Sequence, residues 1–174
     1  GGHAQEGDLA PGLSQALRAS HTAAAGMTGS PGHDVPPGYR PVDAGGGFIA
    51  ANGPLYLLHE GQAVKVGFRV EPRHCNPMGV CHGGMLASFC DMLLPLSVHR
   101  KSAEVGQRFL PTVSLQLDYL APVPLGAWVE GECEVLKVTR TMVFAQGLVR
   151  ADGATAVRCS GVFKIGPTFG DDAR

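Results

Sequence analysis

The chain has 174 residues, enough for one domain with a buried core and too few for two ordinary ones. A formal net charge of −1 and a pI near 6.7 provide no sequence-wide basic surface to displace counterions, which excludes general nucleic-acid binding. No stretch approaches the ~20 apolar residues of a membrane-spanning helix, and the N-terminus lacks a charged segment followed by an apolar one, so a cytoplasmic protein without membrane contact is expected.

Glycine, at 25 residues, is about twice its usual ~7% share. Eleven of these glycines precede Phe48, together with five prolines, and Tyr39 is the one aromatic residue in that stretch. Such a composition buries too little apolar area to offset ~1–2 kcal/mol of backbone entropy per residue. Residues 1–46 are therefore expected to form a loosely ordered arm, with one short helix near Pro11 to Ser20. Residues 47–168 are the expected folded domain and 169–174 a tail.

From Phe48 onward apolar runs alternate with single turns. Pro54 to His59 and Ala63 to Val70, separated by Glu60-Gly61, read as a strand pair. After His82-Gly83-Gly84, the residues Met85, Leu86, Phe89, Leu93 and Leu96 gather on one side of an α-helix, which Pro95 is expected to kink or end. In Thr112 to Tyr119, Val113, Leu115, Leu117 and Tyr119 alternate with polar residues, the period of a half-buried strand with Thr112 on its polar face. Trp128 to Val138 and Met142 to Arg150 follow across a tight turn at Thr139-Arg140. Asp152-Gly153 is a hairpin signal before a last alternating strand ending at Ile165. One amphipathic helix among antiparallel strands, with no βαβ alternation, predicts an α+β fold.

The chemistry centres on Asn76 to Asp91. Two glycines at a helix start leave backbone N–H groups uncovered at the positive end of the helix dipole. A thioester under attack by water develops an oxyanion that suits this place, and each preorganised donor typically lowers the barrier by ~3–4 kcal/mol. Gly83 is the expected donor. Asp91 is a carboxylate on a helix otherwise filled with Met, Leu, Phe and Cys. Nine residues separate it from His82, ~13.5 Å of rise and about 900° of rotation, so the two point to opposite sides and cannot serve one carbonyl within one subunit. If both ends are catalytic, Gly83 of one chain must meet Asp91 of a two-fold-related chain.

Asn76, Gly79, His82-Gly83-Gly84 and Asp91 at this spacing resemble the signature of hotdog-fold acyl-CoA thioesterases of the phenylacetate-degradation (PaaI-like) and thioesterase superfamily member 2 type. The similarity extends through Pro111 to Pro122, Gly126 and Gly153 to Phe163, over roughly residues 48–166. The resemblance implies a curved antiparallel sheet wrapped around one long helix, edge-to-edge homodimers and tetramers built from two dimers. It also implies a role for each matching residue: Gly83 polarises the carbonyl, Asp91 of the neighbouring subunit is general base or nucleophile, Asn76 orients water or the carbonyl, Thr112 helps hold the water, and His82 shapes the loop. Gly84, Arg108, Lys137 and Arg140 are the expected contacts to an acyl-CoA substrate, whose phosphates basic side chains can meet.

No metal or redox cofactor is expected. His74-Cys75 and Cys81-His82 offer four ligands, but adjacent pairs strain a tetrahedral zinc site. Cys81 and Cys90 show no paired base that would make either a nucleophile, and five cysteines without scaffold density read as free thiols. Ser88 has no Gly-x-Ser-x-Gly setting. The rival readings are a hotdog dehydratase or hydratase and a non-catalytic acyl-CoA-binding module.

Overall fold

The computed structural model describes residues 35–42, 46–61 and 63–169; the helix considered near Pro11 to Ser20 lies outside the described residues. Seven described strands form one antiparallel sheet in the order β1-β2-β3-β5-β6-β7-β4. They are β1 (Arg40–Val42), β2 (Leu55–Glu60), β3 (Ala63–Arg69), β4 (Thr112–Tyr119), β5 (Trp128–Val138), β6 (Met142–Ala151) and β7 (Ala154–Lys164). A short helix α1 (Gly46–Asn52) precedes β2, and the long helix α2 (Gly83–Lys101) lies between β3 and β4.

The expected hairpins form where turn chemistry demands them. Gly61 takes φ +61° between β2 and β3, and Asp152 and Gly153 take φ +46° and +85° between β6 and β7, the left-handed pair a two-residue hairpin needs. Between β5 and β6 the connection is one residue longer than expected. The Thr139 hydroxyl accepts from the Thr141 and Met142 amides and holds it closed.

Helix α2 packs against β3, β4, β5, β6 and β7. Five strands at ~4.8 Å spacing span roughly 19 Å, nearly twice the ~10 Å width of a helix, so the sheet has to curl around it. This is the hotdog arrangement. Leu86, Phe89, Leu93, Leu94 and Val98 are buried against Phe68, Val129, Val143, Val149, Val157 and Phe163, each large side chain contributing about 1.5–3 kcal/mol of transfer free energy. Part of the glycine excess serves this approach: a Cβ on Gly131 would overlap the Leu93 side chain, and one on Gly147 would lie 2.5 Å from the Glu132 carbonyl oxygen.

Three expectations from the sequence change. Pro95 does not end or break α2, which runs on to Lys101. Proline removes one amide, but Leu93, Leu94, Ser97 and Val98 on either side of it are buried and hold the helix in place. Arg40–Val42, assigned to the loose arm, is a strand paired with β2. Tyr39 anchors it by donating to the Glu130 carboxylate at 2.6 Å and packing edge-on against Trp128, with ring centroids 4.9 Å apart. Finally, the Thr112 to Tyr119 alternation is broken by a bulge between Thr112 and Ser114. An extra residue reverses side-chain parity, so Thr112, opposite the fully buried Phe163, turns toward the helix rather than onto the polar face. Val113 is left 58% exposed.

Gly147→Ala is expected to destabilise the domain by about 1–3 kcal/mol, because backbone rather than a movable side chain blocks the new methyl. Urea unfolding would read this as a lower midpoint at unchanged slope. An unchanged midpoint would mean that β5 and β6 can part at that step without cost.

Candidate active site

The segment before α2 is a closed loop. The His82 amide donates to the His74 carbonyl at 2.8 Å and the Asn76 amide to the Val80 carbonyl at 2.9 Å, bringing Cys75 opposite Cys81. Asn76 Oδ1 accepts from the Met78 and Val80 amides at 2.9 and 3.4 Å, and Gly79 turns the chain at φ +75°. The carbonyl side of the Asn76 amide is thus spent on the loop, and its NH2 group is the part left to meet a substrate or water.

His82 is the N-cap of α2. Its Nδ1 accepts from the Gly84 amide at 2.8 Å and its carbonyl accepts from the Met85 and Leu86 amides. Gly84 therefore has no amide to offer a substrate, and the Nδ1 acceptor places the proton of the neutral ring on Nε2. The Gly83 amide is different: no acceptor among the described residues takes it. It is an open donor at the positive end of a 19-residue helix. Gly83 lines a cleft of about 280 Å³ with Cys81, Leu86, Tyr119, Leu120, Ala121, Pro122 and Val123.

Strand β4 runs beside α2 and holds it at two points. Tyr119 donates its hydroxyl to the Gly83 carbonyl at 2.8 Å. Thr112 donates its hydroxyl to Asp91 Oδ1 at 2.7 Å. One carboxylate oxygen of the half-buried Asp91 is thereby fixed, and the bulge described above is what brings Thr112 there. Eight residues separate Gly83 from Asp91, ~12 Å along the helix, so one chain brings Thr112 to Asp91 and Tyr119 to Gly83 but does not join the two pairs. Tyr119 was not singled out from the sequence. Its one signal was a polar-tipped aromatic ending an alternating strand. Burial raises its phenol pKa, which keeps the hydroxyl a donor.

The expected basic contacts lie elsewhere on the sheet. Arg108 donates its Nε to the Gly166 carbonyl at 2.7 Å. Arg140 is exposed in the β5–β6 turn, which is tied to the end of β7 by the Ile165 amide on the Thr141 carbonyl. Both therefore sit at the Thr112 end of the sheet. Lys137 is exposed near the end of β5. The thiols do not form a nucleophilic site: all five are free, burial pushes Cys81 up to about 12, and the hydrogen bond with Cys159, together with burial, drives Cys90 far above the ordinary thiol value.

Residues 78–157 match the thioesterase superfamily. A Pseudomonas aeruginosa protein named as an esterase is 29% identical over 133 residues, covering 76% of this chain and 98% of its own length. The mouse acyl-coenzyme A thioesterase 13 is 29% identical over 79 residues, covering 44% of this chain and 53% of its own. Among solved structures, zebrafish thioesterase superfamily member 2 superposes with a TM-score of 0.62 at 22% identity, covering 71% of this chain and 90% of that one. The superfamily match spans the free Gly83 amide, Asp91, Thr112 and Tyr119.

His74 is the titratable group buried beneath the loop before α2. Its Nδ1 accepts from the Glu71 amide at 3.0 Å and its ring stands edge-on to Phe68. Burial, aided by the Arg73 charge, lowers its pKa from 6.5. The neutral ring is favoured more in the fold than in the unfolded chain. Its contribution to stability is complete above the ordinary value and is lost as pH falls below 6.5 toward the folded one. His74→Asn keeps an acceptor for the Glu71 amide and cannot titrate. Unfolding midpoints measured from about pH 7 to pH 5 should fall more steeply for wild type than for this variant, and parallel curves would remove His74 from the account.

Proposed function

We propose that this thioester hydrolase acts on acyl-CoA, at a site built from Gly83 of one subunit and Asp91 of its partner. The observation that carries the reading is the open Gly83 amide at the start of α2 beside the cleft. The thioester carbonyl oxygen accepts from this amide, which stabilises the negative charge that develops as the carbonyl carbon becomes tetrahedral. Asp91, with one oxygen held by Thr112, acts through its other oxygen. As general base it takes a proton from the attacking water; as nucleophile it attacks directly and water then hydrolyses the anhydride. In either case the products are the free acid and the CoA thiol.

The edge position of β4 supports the two-chain site. As the last of the described strands in the sheet it has one side unpaired among the described residues, and Tyr119 at its end is 53% exposed. An isologous contact runs the strand antiparallel to its own copy. The Thr112 end of one chain then meets the Tyr119 end of the other, which carries Asp91 of one subunit to Gly83 of its partner twice over. Arg108 and Arg140, at the Thr112 end, travel with Asp91 and supply positive charge for the CoA phosphates. A dimer of such dimers agrees with the resemblance.

Asp91→Asn should lower kcat on acyl-CoA esters by about 10²–10⁴-fold. Gly83→Pro deletes the amide at a first helical position, where proline fits and where His82 already has the extended backbone it requires; kcat should fall about 10²–10³-fold. Mixing the two inactive variants under dimer exchange should restore one working site per heterodimer. Wild-type binding of acyl-CoA without turnover, or full activity in Asp91→Asn, would sink the proposal.

A further inference from the structure

We propose that Cys75 and Cys81 are a reversible disulfide pair that closes the Asn76–Val80 loop in response to small disulfides of the glutathione class. The hydrogen bonds from His82 to His74 and from Asn76 to Val80 flank these two residues and leave the pair between them without a mutual bond. That pattern defines the narrow, non-hydrogen-bonded site of an antiparallel pair. There the opposed Cα atoms stand about 4.5 Å apart and the side chains share one face. Disulfides span Cα separations of roughly 4.4–6.8 Å, so bridging asks for side-chain rotation rather than backbone travel. Each thiol now makes only a weak bond, Cys75 Sγ to the Glu71 carbonyl at 3.5 Å and Cys81 Sγ to the His82 carbonyl at 3.9 Å.

Access selects this pair over the others. Cys90, Cys133 and Cys159 are buried, as is Cys81, whereas Cys75 is half-buried and can meet a small disulfide, with Cys81 the thiol that faces it across the bridge. The Cys75 thiolate attacks the small disulfide, forming a mixed disulfide and releasing one glutathione thiol. The Cys81 thiolate then attacks the Cys75 sulfur, releasing the second. Two cysteines lose two protons and two electrons, and one glutathione disulfide is reduced to two thiols. Burial raises both thiol pKa values, so the dithiol is the resting form and closure accelerates as pH rises. The bond joins the residues that flank Asn76 on one side and adjoin His82 and Gly83 on the other. The bond locks the strand that leads into the N-cap, so the Gly83 amide that follows it loses the freedom to adjust to a substrate. That consequence for turnover rests on the thioesterase reading; the bond itself does not.

Wild-type protein equilibrated with glutathione buffers at mildly alkaline pH should lose two hydrogen atoms by intact mass, and peptide mapping should find Cys75 linked to Cys81. Exchange of the Met78 and Val80 amides should slow, and acyl-CoA turnover should show a loss that dithiothreitol restores and that Cys75→Ser lacks. A persistent glutathione adduct at Cys75, a link through another cysteine, or no mass change at equilibrium would overturn the pair. A formed bond with unchanged turnover would overturn its regulatory role. A reduced wild type without turnover would fail the thioesterase reading, while the mass measurement would still decide the bond.

Discussion

The structure depends on how the start of α2 distributes its amides. A helix leaves its first donors without internal partners. Here His82 absorbs all but one of those its position lets it reach: its ring takes Gly84 and its carbonyl takes Met85 and Leu86. Gly83 is left as the open donor because of this division. An ordinary serine or threonine cap performs the same service with a shorter side chain. The imidazole adds bulk that closes one side of the turn, and a Cβ on Gly84 would lie 2.9 Å from Nδ1. The glycine pair therefore has two separate causes. Gly84 must clear the capping ring, whereas a Cβ on Gly83 would stand at ordinary contact, 3.5 Å from the Tyr119 ring, beside the open amide.

The second constraint is that both halves of the proposed site lie on the seam between α2 and β4, an edge strand among the described ones. A strand with an unpaired side attracts a partner unless it is short, charged or covered. Residues 112 to 119 carry one charged side chain, Asp118, and it is paired with Arg158 at 2.7 Å. The seam is thus poorly defended against association with its own copy. Its two hydrogen bonds, Thr112 to Asp91 and Tyr119 to Gly83, lie at opposite ends of the strand. A two-fold axis through the middle of such a strand exchanges its ends, and on this geometry rests the proposal that a site split along one helix is completed between two chains.

Much of this was legible in the residues. The long helix α2, the β6–β7 hairpin at Asp152-Gly153 and the loop from Asn76 to Gly84 follow from periodicity and turn chemistry, and the separation of Gly83 from Asp91 follows from helix rise alone; the short helix α1 (Gly46–Asn52) was not predicted. What was not legible required tertiary contacts. The bulge at Val113 leaves no composition signal, so the alternation assigned Thr112 to the wrong face, although the resemblance had given it a role near the water. The β1 strand depends on Tyr39 reaching Glu130 and Trp128, about ninety residues away in sequence, and no local propensity encodes that. Tyr119 read as a core residue because its ring lies on the inner face; that its hydroxyl meets Gly83 depends on how β4 crosses the helix end.

Pro95 joins these points at the other end of the site. In a regular helix its amide would bond the carbonyl four residues earlier, and that residue is Asp91. The one proline inside α2 thus sits where the missing bond falls on the backbone of Asp91, the carboxylate of the proposed site. Burial of Leu93, Leu94, Ser97 and Val98 keeps the helix continuous, so the cost appears as an under-bonded carbonyl rather than as a kink that ends it. Such a carbonyl is left open to a donor from outside the regular helix ladder. The side chain is then held chiefly by Thr112 at 2.7 Å, and the bulge that turns Thr112 inward becomes the element that sets where the carboxylate points.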